Sequence, residues 1–185
     1  MNKLIKIAPL VMALILSACE DKDTDSNKAE TPQEVTTTNV NDGAFYYNLE
    51  EKKQNQNAYH IAYQNVDAGQ GFSMPSFSLS NSVMLAIDSA SDFESIEVAP
   101  ARDQFAPESG RIQYGGANAV LTYNMVTHQV GVSNDTYIIY DTITHRVYKV
   151  KFDDYSGGVV IFRFMELSLY SVSYTHLTLP TIYSV

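Results

Sequence analysis

Tryptophan is missing from this chain, cysteine occurs once, and basic residues are few: 12 Lys and Arg stand against 21 Asp and Glu in 185 residues, a formal charge of -9. Each shortage excludes something. One cysteine cannot close an internal disulfide. A pI near 4.7 argues against nucleic acid as a partner, because neutralising phosphates takes clustered Lys and Arg. Sustained helical periodicity is missing from every long window, which points away from helical folds. G-x-S-x-G, H-E-x-x-H, the P-loop and the Rossmann glycine pattern are all missing too, so an enzyme is not expected. The acidic pairs Asp153-Asp154 and Glu94/Glu97 read as solvated surface rather than as acid–base carboxylates.

What is present begins with a targeting segment. Two lysines, Lys3 and Lys6, precede the apolar run Ile7 to Ile15, which is too short to span a bilayer. Leu16-Ser17-Ala18-Cys19 follows and resembles the bacterial lipobox, in which the cysteine thiol takes a diacylglycerol and cleavage leaves it as an acylated N-terminus. The resemblance implies a signal peptide over 1–18 and lipidation at Cys19, with acyl chains that together hold a protein stably on a membrane. Residues 19–42 read as an acidic tether, since seven acids and two lysines among polar residues between Glu20 and Asp42 leave little to bury. Its opening, Glu20-Asp21-Lys22-Asp23-Thr24-Asp25, resembles the acidic signal that sends some bacterial lipoproteins to the cell surface.

From Gly43 the acids thin out and short alternating runs begin. Strands are expected at Phe45–Leu49, Ala58–Tyr63, Phe72–Leu79 and Val83–Ile87, with a short helical turn at Ser91–Ile96 capped by Ser91. The closing region is an antiparallel meander with one apolar face: Thr136–Thr142, a hairpin turn at Ile143-Thr144-His145, Arg146–Phe152, a turn at Ser156-Gly157-Gly158, and Val159–Met165. In Arg146–Phe152 the residues Tyr148, Val150 and Phe152 should face inward, and Val147, Lys149 and Lys151 outward. The expectation is a mainly β protein, a single antiparallel β-sandwich or meander domain over 43–170 behind a disordered tether.

Four stretches in order resemble the HmuY-like haem-binding lipoproteins: Ala58–Tyr63 (AYHIAY), Asp92–Pro100 (DFESIEVAP), Leu121–Val130 (LTYNMVTHQV), and Asp135–Phe164 with its closing strands. Tyr59 stands where that family usually has Trp, His60 where it has an acid, and Thr144-His145 where it has an Asp-Gly turn. The resemblance implies a monomeric, β-rich protein anchored to the outer membrane that captures haem and passes it to an outer-membrane haem receptor. Such a site needs an apolar slot and one or two axial ligands, imidazole, thioether or tyrosinate. His128, in the T-H stretch, is the foremost ligand candidate, with Met125 and Met84 as thioether candidates. Tyr123, Tyr137 and Tyr148 are candidates to line the pocket, although half-buried strand tyrosines need no such role. His145, in the hairpin turn, reads as solvated, and His60 as half-buried on a strand face. The same fold with a glycan or partner protein as ligand, or a structural envelope role, are the competing readings.

The end of the chain stands apart. Val172–Thr181 (VSYTHLTLPT) resembles the translation of a transposase adapter used in preparing DNA for sequencing, so residues 171–185 are expected to be adapter read-through, which removes His176 from the ligand candidates.

Overall fold

The computed structural model describes residues 31–108 and 110–169, and these form two packed antiparallel sheets with a further two-stranded pair against their core. Cys19, the first half of the expected tether (19–30), and the stretch 171–185 lie outside the described residues. The described strands are β1 (Gln33–Thr36), β2 (Phe45–Asn48), β3 (Lys53–Gln54), β4 (Ile61–Gly69), β5 (Phe72–Leu79), β6 (Val83–Asp88), β7 (Ala106–Pro107), β8 (Leu121–Asn124), β9 (Gln129–Val132), β10 (Thr136–Asp141), β11 (Val147–Ser156) and β12 (Val159–Leu167). Six of them form one sheet in the order β1-β12-β11-β10-β6-β7, four form another in the order β3-β2-β4-β5, and β8 pairs with β9.

Alternation explains the core. Tyr137 and Ile139 of β10, Tyr148, Val150 and Phe152 of β11, and Phe162 and Phe164 of β12 point to one face of the larger sheet. They meet Tyr47, Ile61, Tyr63 and Phe77 of the smaller sheet, with Phe77 4.6 Å from Phe152 and Tyr47 5.6 Å from Phe162 between ring centroids. The expected mainly β sandwich is therefore the observed fold.

Two expectations need correction. The folded part begins before Gly43, because β1 pairs with β12 in the register Gln33↔Phe164 to Thr36↔Ile161. The Thr37 hydroxyl accepts a hydrogen bond from the Val160 N–H at 2.9 Å, and Val40 is buried. An edge strand needs backbone partners more than apolar side chains, so the polar stretch Gln33-Glu34-Val35-Thr36 gave little sign of it.

The larger sheet also has two covered faces rather than one. Val147 of β11, Ala86 of β6, Ile138 of β10 and Leu167 of β12 pack under the segment between β6 and β7, which contributes Ile96, Ala99 and Phe105. That segment contains two 3-10 turns, Phe93–Ser95 and Arg102–Gln104; the first has Asp92 rather than Ser91 at its N-cap position. It is fastened down by Lys149, which was expected to face solvent and is instead 1% exposed. The Lys149 ammonium donates to the carbonyls of Phe93 (2.6 Å) and Ile96 (2.7 Å) and sits 4.4 Å above the Phe93 ring. Burial holds its pKa below the ordinary lysine value. A backbone bridge from Val98 to Ser168 and the bond from Ala99 N–H to Ser168 O (3.1 Å) pin the far side of the segment.

Candidate functional site

Two hairpin tips share one construction. Tyr123-Asn124-Met125-Val126-Thr127-His128 joins β8 to β9, and Tyr140-Asp141-Thr142-Ile143-Thr144-His145 leads out of β10 toward β11. In the first, the Asn124 side-chain oxygen accepts from the N–H groups of Val126 (2.8 Å) and Thr127 (3.1 Å), and the His128 N–H returns to the Asn124 carbonyl at 2.8 Å. In the second, Asp141 accepts from the Ile143 N–H (2.9 Å) and the Thr144 hydroxyl (2.6 Å), and the His145 N–H returns to the Asp141 carbonyl at 3.0 Å. These are Asx-type turns, which use the short polar side chain as a surrogate backbone acceptor. Each closes on a histidine in the left-handed region, φ 56° at His128 and 60° at His145.

The imidazoles are held alike. Tyr123 Oη and His128 Nδ1 are hydrogen-bonded at 2.8 Å, and Tyr140 Oη and His145 Nδ1 at 2.6 Å. When Nδ1–H donates to the phenol oxygen, Nε2 keeps its lone pair, which is the form that ligates a metal. His145 is exposed, as a turn histidine is expected to be, yet its ring is held by Tyr140, and the feature that recommends His128 belongs equally to it.

Their surroundings differ. The first tip carries Met125 and Val126 largely exposed, at 76% and 87%. Met84 is elsewhere, on β6, opposite Tyr140 in the register of β6 with β10. The second tip borders an apolar cleft of about 250 Å3 lined by Met84, Pro100, Arg102, Phe105, Tyr140 and His145, among others. Tyr140 is central to it: its ring lies 5.7 Å from Phe105 while its hydroxyl holds His145. Thus Met84 shares walls with His145 rather than with His128 and Met125. The remaining tyrosine candidates are core residues. Tyr137 donates from its hydroxyl to Asn118 O at 3.1 Å, Tyr148 packs 6.5 Å from Phe164, and burial pushes both phenols up to about 12.

Behind the second tip lies a hollow of about 500 Å3, lined by Tyr59, His60, Ser80, Ser82, Asp141 and Thr144 among others. His60 is buried there rather than half-buried. Its Nδ1 accepts the Leu49 N–H at 3.0 Å, so its proton is on Nε2, 3.2 Å from Asp141 Oδ2. Burial by itself would raise the Asp141 carboxyl. Hydrogen bonds from Thr144, the Ile143 N–H and His60 outweigh it and hold the group below the ordinary carboxylate value. One residue thus ties the tip to the smaller sheet while its neighbour Tyr140 faces the cleft.

Sequence reasoning passed over Arg102, Phe105 and Tyr140 and set His145 aside as a solvated turn residue. The signal for two of them was legible, since Y-N-M-V-T-H and Y-D-T-I-T-H repeat one pattern seventeen residues apart. The other two come from a segment whose approach to β6 and β10 is a tertiary matter. No model of a known protein family matches the chain, and no curated protein resembles it at a significant level.

Proposed function

We propose that the chain is a lipid-anchored bacterial envelope protein that binds haem in the cleft between β6, β10 and the Ala99–Phe105 segment. The observation that carries this reading is that His145 and Met84 both line one apolar cleft, with the imidazole held by Tyr140. The residues fit the group. Imidazole and thioether are a usual axial donor set for haem iron, which supplies the affinity when bound. Phe105, Tyr140 and Pro100 would offer apolar walls to the macrocycle. Tyr140 would fix the imidazole's tautomer and ring plane. Acyl chains on Cys19 would keep this monomer at the outer membrane, on the surface or the periplasmic face, within reach of a haem receptor that takes the ligand on.

A second reading is favoured by the cleft's volume of about 250 Å3, which falls below the usual span of small-molecule pockets. The same fold would then hold a smaller non-haem ligand or a partner protein. Adding haemin to the mature chain separates the two: a Soret band that His145→Ala abolishes supports haem, and a flat titration with native circular dichroism supports the second reading.

A further inference from the structure

We infer that the cleft selects apolar ligands that carry a carboxylate, and that Arg102 receives it. The inference takes the cleft as the binding site from the reading above and adds the chemical class of what enters it. The whole chain is acidic, yet none of the described residues lining this cleft is Asp or Glu, and the formally charged residue there is Arg102. In a protein of formal charge -9 this is a local reversal of sign.

Arg102 is an exposed residue of the cleft lining whose backbone is set by a turn. It opens the 3-10 turn Arg102–Gln104, three residues before Phe105, whose ring packs on Tyr140. The turn is closed by the N–H of Phe105 on the Arg102 carbonyl at 3.3 Å. Among the described residues no carboxylate pairs with its guanidinium, whereas Arg146 and Arg163 are each engaged by two acids. A guanidinium presents a planar fork that matches a carboxylate bidentately. At a partly open rim the pair orients the ligand and adds about a tenfold preference, the scale of one hydrogen bond to a charged group. The apolar body then lies against Met84, Pro100, Phe105 and Tyr140.

The test uses the mature chain from residue 19, with Cys19→Ser to keep acyl chains out of the assay. Haemin and haemin dimethyl ester are titrated against it and against Arg102→Gln, followed by the Soret band. Haemin is expected to bind about tenfold more tightly than the ester. Arg102→Gln should remove that difference by weakening haemin and leaving the ester unchanged. Equal binding of the two porphyrins, or equal loss of both in the variant, overturns the inference. If neither porphyrin binds, the haem reading falls, and octanoate against octan-1-ol by calorimetry decides the inference alone. Arg102-dependent binding of octanoate in preference to the alcohol upholds it, and binding of neither overturns it.

Discussion

His128 and His145 occupy the same position in two copies of one turn: each is left-handed, each closes on the carbonyl of the Asn or Asp four residues earlier, and each lends Nδ1 to the Tyr five residues earlier, at 2.8 and 2.6 Å. What separates them is the company the turn keeps. Both tips are exposed, Ile143 at 73% against Met125 at 76%, but the second stands between an apolar cleft and a buried His–Asp pair. The proposed binding site therefore rests on where the turn is set rather than on the turn itself.

Asp141 serves both the turn and the sheet contact, so its loss should cost more than loss of its counterpart. Asn124→Ala removes turn acceptors at an exposed tip and is expected to cost about 1 kcal/mol. Asp141→Ala also leaves the His60 Nε2–H buried without its acceptor, and the expected cost is about 2–4 kcal/mol. Because the folded Asp141 carboxyl is held below its unfolded value, its contribution is complete above the ordinary carboxylate range near 3.8 and is lost as pH falls through the folded value. Urea midpoints between pH 6 and pH 2 should show a decline over the acid end that is shallower in Asp141→Asn.

Lys149 is predicted to be a fastener of the cleft wall. Lys149→Met keeps the length of the side chain but leaves the Phe93 and Ile96 carbonyls without their donor. Urea unfolding should show a loss of about 1–3 kcal/mol. Hydrogen exchange should rise over residues 92–105 more than over β10 to β12, since those strands keep their ladders. Uniform exchange across both regions would remove Lys149 from this role.

The stretch before Gly43 is predicted to matter for stability. Val40→Ala should cost about 1–3 kcal/mol, the scale of partial loss of a buried aliphatic side chain. Thr37→Val, which leaves the Val160 N–H without its side-chain acceptor, should cost about 1–2 kcal/mol. Thermal melts of the two variants that match the native chain would return these residues to the tether.

The closing strands were legible in the sequence because Tyr148, Val150 and Phe152 alternate over a length that only a strand explains. The bounds of β5, Phe72–Leu79, also coincide with the expected ones. β1 was hidden because an edge strand can be polar on both sides. The buried side of Lys149 was hidden too, since the partners of its ammonium are the carbonyls of a segment more than fifty residues away. Met84 and His145 read as unrelated, one in mid-strand and one in a turn, because only the β6–β10 register brings Met84 opposite Tyr140.

The most direct test of the account compares three single variants of the mature chain, each titrated with haemin and followed at the Soret band. The native chain and His128→Ala should give the same saturable band, while His145→Ala and Met84→Ala should lose or shift it and remain folded by circular dichroism. A band that survives His145→Ala and disappears in His128→Ala would contradict the account and move the site to the β8–β9 tip.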